Sequence, residues 1–313
     1  MKTCVSIDMD NFQEYRRLID PAGRQPERSF YDDALPRFLD LLERAGLRAT
    51  FFMVGRDAAP AEHRDVVRRL VDAGHEVGNH SQSHPYNFAA LSREQKLREI
   101  VAAEEAIAER TGTRPVGFRT PSCDVDEETI RILAERGYAY DASTFPSPLM
   151  LAFVLYGKLF VKHDDYQLGP MTTVLAPRVP YRPSADRFYR AWRPGQPPGP
   201  DLVEIPLSVT PLARLPFYAT FLRMLGPGFF RRCVRGYGTE RPVLHVAFHL
   251  MDLVDHAGTS LGAAVDRSPG LGVPFEKRER FVASALETLA GVGENATLAE
   301  VARDAPQRAS AAA

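Results

Sequence analysis

Cysteine is nearly absent from this 313-residue chain: Cys4, Cys123 and Cys233 stand far apart, and no CxxC pair occurs. A disulfide framework and a thiolate zinc site are thereby excluded. Neither charge is in excess, with 39 Lys and Arg against 40 Asp and Glu. Nucleic-acid binding normally shows as a basic surplus, so no nucleic-acid partner is expected. No run reaches the ~18 consecutive apolar residues of a membrane-spanning helix. The opening Met1-Lys2-Thr3-Cys4-Val5-Ser6-Ile7 meets Asp8 before the apolar core of a secretory signal can form, so the cytoplasm is the expected compartment. The rest is ordinary: 44% hydrophobic and 25% charged, the balance of a folded globular protein.

The first half alternates strand and helix patterns. Cys4–Met9 alternates and is β-branched, as a strand should be. Ser29 is placed to cap a helix carrying Leu35, Phe38, Leu39 and Leu42, with Gly46 past its end. Ala49 to Val54 is a short continuous apolar run, which suits a strand buried on both faces. Further strands are expected at His75–Asn79, Val116–Phe118 and Tyr138–Tyr140, with helices around Val66–Val71, after the Ser92/Gln95 capping box, and after Asp126. Beyond Ser143 the pattern fails for almost sixty residues. It resumes with a strand at Leu202–Ile205, a helix near Phe217–Val234, a strand at Val243–Phe248 and a helix at Phe275–Leu289. Such alternation requires parallel strands with helical crossovers, about seven βα units in all. The expected organisation is one catalytic domain over 1–304, interrupted by a proline-rich, lid-like insertion at about 146–200, and a flexible tail over 305–313. Long structureless stretches inside a domain are often functional lids.

In parallel α/β folds the site forms at the carboxyl ends of strands. Asp8 and Asp10 follow the first strand two apart, which puts both carboxylates on one face of an extended backbone. One of them is suited to hold a cation. His80 and His84, in Asn79-His80-Ser81-Gln82-Ser83-His84, are four apart, and one helical turn would bring both imidazoles to one side. Two histidines and a carboxylate with an open position are a common catalytic set for a divalent metal. Arg119 follows the fourth strand and is able to orient and ionise a carboxylate. Asp141 ends the fifth strand. His249 leaves the strand Val243–Phe248, where an imidazole titrating near neutrality is able to protonate a leaving group. His75 and His245 read as structural.

These residues, in this order, resemble the polysaccharide deacetylase (NodB-homology, carbohydrate esterase 4-like) family. The matching pieces are Ser6-Ile7-Asp8-Met9-Asp10, the strand ATFFMVG at 49–55, GHEVGNHSQSH at 74–84, Gly117-Phe118-Arg119-Thr120-Pro121-Ser122, Tyr140-Asp141-Ala142-Ser143 and Phe248-His249-Leu250-Met251-Asp252. The resemblance implies a distorted (β/α)7 barrel, a divalent metal, usually zinc, and hydrolysis of an N-acetyl group from an amino sugar. It gives one Asp of the D-x-D pair to the metal and the other to the base. Asp10, His80 and His84 then hold metal, Asp8 is the base oriented by Arg119, and His249 is the acid whose charged form Asp141 favours. Asp8 and Asp10 remain exchangeable at this stage. The chain departs from the pattern at Leu250-Met251, where a subgroup usually has Pro-Trp, and in lacking a Trp after Asp141.

The same scaffold admits alternatives: removal of a formyl group, opening of a cyclic amide, or a non-catalytic sugar-binding barrel. Two apolar segments flanked by cations, Pro148–Tyr156 with Lys158 and Lys162, and Leu215–Leu225 with Arg231, Arg232 and Arg235, suggest peripheral contact with a membrane's inner face. A lipid-linked N-acetylated sugar is the substrate this implies.

Overall fold

The computed structural model describes residues 1–13, 29–149, 169–238, 241–255 and 272–305. Seven parallel strands build its sheet: β1 (Lys2–Asp8), β2 (Thr50–Met53), β3 (Glu76–Asn79), β4 (Gly117–Phe118), β5 (Tyr140–Asp141), β6 (Val203–Glu204) and β7 (Val243–His249). Their order is β6-β5-β4-β3-β2-β1-β7, so β6 and β7 stand at its two ends. The sheet curls, and the chain between 205 and 218 spans the gap. Ile205 and Leu207 donate to the carbonyls of Asp141 and Thr144 on one side. Ser208 donates to His245, and Ala247 to Phe217, on the other. The result is a half-barrel of the expected seven-unit type, its sheet extended by a short eighth strand, β8 (Glu294–Asn295), beside the start of β1.

Helices cover the outside of the sheet. Helix α1 (Phe30–Ala45) starts where the Ser29 hydroxyl accepts from the Tyr31 amide and stops at Gly46, whose φ of 65° is cheap only for glycine. Its stripe of Leu35, Phe38, Leu39 and Leu42 is fully buried against β1 and β7 side chains. A single turn, α2 (Gly55–Ala58), follows β2 directly, and α3 (Arg64–Asp72) packs beside α1. Helix α4 (Arg93–Thr111) opens with the reciprocal Ser92–Gln95 capping box, and α5 (Glu127–Glu135) with Asp126 accepting from Thr129. Helix α6 (Ala219–Tyr237) is kinked at Gly226, where φ is 81° and Pro227 follows. Helix α7 (Phe275–Ala290) and the short α8 (Leu298–Asp304), with its own Thr297–Glu300 capping box, close the chain against α6 and β1.

The described part of the insertion is not loose. It buries Ala176, Phe188 and Tyr189 in a cluster with Phe118, Ile130 and Tyr138, and Tyr181 bridges Glu204 of β6. The apolar residues 150–156, with Lys158 and Lys162, lie outside the described residues, as does the tail from 306. In the second apolar segment Phe217 and Leu222 enter the core, while Met224 and Leu225 are exposed.

Phe38 stands edge-on to Phe248, ring centroids 6.1 Å apart, and joins α1 to β7. Phe38→Ala removes that ring from a dry interior and is expected to lower unfolding free energy by about 3–5 kcal/mol in urea titration. An effect under about 1 kcal/mol would mean that α1 can close over the gap.

Candidate active site

Strand register sets the first pair. In the parallel β1–β7 pairing Asp8 lies directly opposite His249, both being the last residues of their strands. The Met9 amide donates to the Phe52 carbonyl, which keeps the chain extended past the strand end. Asp10 therefore returns to the face of Asp8, as the spacing of two requires.

His80 follows β3 and His84 closes the next turn. Both imidazole Nε2 atoms stand 3.3 Å from Asp10 Oδ1. The turn between them is not helical, contrary to the expectation from their spacing. Ser81 and His84 take left-handed backbone angles, φ 65° and 53°. Three contacts hold this shape: Asn79 Oδ1 accepts from the Ser81 amide, Ser81 Oγ accepts from the His84 amide, and the Ser81 carbonyl accepts from Gly55. Gly55 is required there, because a Cβ would lie 2.5 Å from the Ala103 backbone.

His80 Nδ1 lies 2.7 Å from the Arg119 carbonyl. A carbonyl only accepts, so Nδ1 carries the hydrogen and neutral His80 presents a bare Nε2. The ligand atoms of Asp10, His80 and His84 lie within 4.8 Å of one another, and all three residues are buried. Acceptors converging in a dry pocket repel unless a cation sits among them, and two imidazoles with one carboxylate are a donor set suited to a divalent ion. The set fits a metal.

Arg119 is locked on all sides. Its Nη1 donates to Asp8 Oδ1 at 2.6 Å, Nε to the Ala142 carbonyl at 3.0 Å, and its face lies 4.3 Å from the Phe52 ring centroid. Burial pushes the Asp8 carboxyl up, but Arg119, then His249, hold it below the ordinary carboxylate range. At Asp10 burial is likewise overcome, first by His84, and its carboxyl lies well below that range. His249 Nε2 stands 3.4 Å from Asp8 Oδ2 and 3.4 Å from the Tyr218 hydroxyl.

Asp141 is placed differently from expectation. No ion pair joins it to His249 among the described residues. Its two oxygens accept from the Ser143 amide and hydroxyl, and Glu204 is its register partner on β6. Two carboxyls bond to each other only when one is protonated. Burial, then the Asp141 charge, pushes Glu204 well above its ordinary range, which favours its protonated form. The carboxyl that faces His249 is that of Asp8. Sequence reasoning missed Glu204 and Tyr218. Glu204 was findable as an acid at the end of an apolar strand. Tyr218 carried no signal, since the 205–218 connection that delivers it has no periodicity.

A carboxylate–histidine cluster thus stands at the strand ends of a parallel half-barrel. The polysaccharide deacetylase family model matches residues 28–140, and in that stretch the chain is similar to the polysaccharide deacetylase family. A peptidoglycan-N-acetylglucosamine deacetylase of Bacillus cereus is 30% identical over 103 residues, 33% of this chain and 36% of that protein. A peptidoglycan deacetylase of Helicobacter pylori is 31% identical over 130 residues, 42% of this chain and 43% of that protein. A chitin deacetylase of Colletotrichum lindemuthianum is 36% identical over 103 residues, 30% of this chain and 41% of that protein. The matched stretch thus spans less than half of each relative. A crystal structure assigned to the polysaccharide deacetylases, from Mycobacterium smegmatis, superposes over 96% of this chain and 89% of its own with a TM-score of 0.54 at 18% identity, a likeness of fold.

The Asp141–Glu204 pair has a measurable signature. Both carboxyls are raised in the fold, so above their ordinary range the folded chain binds more protons than the unfolded one. Stability from this pair is complete at low pH and falls as pH rises toward the folded value of Glu204, by about 1.4 kcal/mol per pH unit and proton. Glu204→Gln keeps a donor toward Asp141 and an acceptor for the Thr144 amide, which Glu204 Oε1 now receives at 3.0 Å. The melting temperature of the variant relative to wild type is therefore expected to rise between pH 5 and pH 8. A constant difference across that range would refute a protonated Glu204.

Proposed function

We propose that the chain is a metal-dependent amidohydrolase that removes the N-acetyl group of an amino sugar. The observation that carries this reading is the convergence, in one buried cluster, of a metal-type donor set, a carboxylate held by arginine, and an imidazole within 3.4 Å of that carboxylate. The match to the family model supports the same chemistry, since the similar proteins include deacetylases of peptidoglycan and chitin.

Asp10, His80 and His84 would hold the ion. The chemistry a divalent cation such as zinc would supply there is a more acidic water and a polarised acyl oxygen. Asp8 Oδ1 is saturated by Arg119, which leaves Oδ2 to accept the proton of the attacking water. What supports giving the two acids different parts is that Asp10 Oδ1 stands 3.3 Å from both the His80 and His84 Nε2 atoms, whereas Asp8 Oδ1 accepts from Arg119. As the C–N bond breaks, the amine takes a proton from His249 Nε2. Tyr218 borders this nitrogen and limits where the leaving amine can stand. The products are acetate and the free amino sugar.

His80→Ala and His84→Ala are expected to lose bound metal and acetate release together, measured by elemental analysis and by acetate assay. Asp8→Asn is expected to keep its metal and lose turnover. His249→Ala is expected to keep its metal and lose turnover by roughly 10²–10⁴-fold, the usual worth of a general acid. Near-normal turnover of metal-loaded Asp8→Asn would overturn the assignment of the base. Release of formate in place of acetate would reassign the acyl group.

The finer reading is a lipid-linked substrate met at the inner face of a membrane. It rests on the exposure of Met224 and Leu225 on α6, with exposed Arg231, Arg232 and Arg235 further along the same helix. No helix among the described residues is long and apolar enough to cross a membrane. Wild type is expected to float with vesicles containing anionic lipid, and Met224→Asp with Leu225→Asp to float less. Equal activity on water-soluble and lipid-linked sugars, with no flotation, would remove the membrane and leave the deacetylase.

A further inference from the structure

We propose that His245 is a positioning residue for the catalytic base: a permanently neutral imidazole whose bare nitrogen holds one edge of Arg119 and thereby aims the other edge at Asp8. The proposal rests on the reading of Asp8 as base. His245 lies in the middle of β7, four residues before His249 and on the same face of the strand, with Ala247 between them. It is fully buried. On β1, Ser6 stands two residues before Asp8 on the matching face. The half-barrel interior is thus layered, with Ser6 and His245 beneath Asp8 and His249.

The protonation state of His245 follows from its partners. Nδ1 lies 3.2 Å from the Pro206 carbonyl, which only accepts, so Nδ1 carries the hydrogen. Nε2 is 3.1 Å from Arg119 Nη2 and 2.9 Å from Ser6 Oγ. Guanidinium nitrogens only donate, so Nε2 must be bare. Burial, then Arg119, push the imidazole down to about 3, which agrees with a ring that stays neutral.

A guanidinium is a rigid plane. Its orientation is fixed once two of its edges are anchored. The Ala142 carbonyl anchors Nε and His245 anchors Nη2, and Nη1 is then directed at Asp8 Oδ1. Without an acceptor for Nη2, a buried guanidinium edge is left unsatisfied and the plane is free to turn toward whichever oxygen is near, Asp8 Oδ2 included. That would occupy the oxygen needed for the proton. A carboxylate in place of His245 would also anchor Nη2, but it would compete with Asp8 for the charge of Arg119. A neutral acceptor does not.

The test compares His245→Gln, whose side-chain oxygen can accept from Nη2, with His245→Met, which fills the space without a strong acceptor. Both are scored for melting temperature, metal content, kcat and KM on an N-acetylated sugar that the wild type hydrolyses. The Met variant is expected to keep its metal and its KM while kcat falls roughly 10–100-fold, the usual effect of losing a residue that orients a catalytic group. The Gln variant is expected to recover most of that loss at a similar melting temperature. Equal kcat in Gln and Met variants, or wild-type kcat in a folded, metal-loaded Met variant, would overturn the proposal. Wild-type protein gives a second measure that needs no variant to fold. Nitrogen-15 spectra should show separate, slowly exchanging Nη signals for Arg119, and one averaged signal would equally overturn it. If instead metal-loaded Asp8→Asn turns over normally, the base assignment has failed, whatever the His245 variants do.

Discussion

One buried cation governs the charge balance of this barrel. Asp8 and Asp10 lie side by side and are almost wholly removed from water, at 7% and 5% exposure. Two such carboxylates would repel each other and cost several kcal/mol each to bury unpaired. Arg119, itself 3% exposed, supplies the compensating charge to one of them and leaves the other to the histidines. The two carboxylates thus differ in their electrostatic surroundings, whatever part each plays in chemistry. The same guanidinium reaches β5 through Ala142 and β7 through His245, and its own carbonyl orients His80. Three strands meet on one side chain.

The polar layer beneath the site follows a consistent rule. Each buried group is turned by a partner that can only accept or only donate. The Arg119 carbonyl fixes the tautomer of His80, and the Pro206 carbonyl that of His245. Asp141 and Glu204 differ: they are register partners across the β5–β6 pairing, and burial raises both carboxyls. That pair ties the first edge strand to the sheet at the point where the insertion returns. It uses an aspartate that the family pattern would have lent to the acid histidine, and His249 instead faces Asp8 directly.

Much of this was legible in the residues. Period-two runs and short apolar runs located β1 to β7, though not the two-residue β8, and the unusual polar residues after them marked Asp8, Asp10, His80, His84, Arg119 and His249, though not Tyr218. Ser29, Ser92 and Asp126 announced their helices through capping chemistry. What was not legible has physical causes. The Thr297–Glu300 box that starts α8 carries the same signal as Ser92–Gln95 but stands before only seven helical residues, too few for an apolar period to register. The His80–His84 turn departs from a helix because hydrogen bonds to Gly55 and Asn79, which are tertiary and side-chain contacts, override the local spacing. The partnership of Asp141 with Glu204 crosses from one strand to its neighbour over the whole insertion, and no local pattern encodes such a contact.

The register of β1 against β7 has a kinetic meaning as well. Asp8 and His249 are neighbours in the sheet but 241 residues apart in the chain, and the edge strand that seats His249 is nearly the last to be synthesised. Contacts of such sequence separation carry a large loop-closure entropy and form late. The segment that carries the family match, 28–140, contains neither residue, so the metal-type histidines and Arg119 can be in place while the sheet is still open on the β7 side. A slip of one residue in that final pairing would turn His245, Ala247 and His249 outward together. Pairing β7 with β1 closes that side of the sheet and seats His249 beside Asp8 in the same contact.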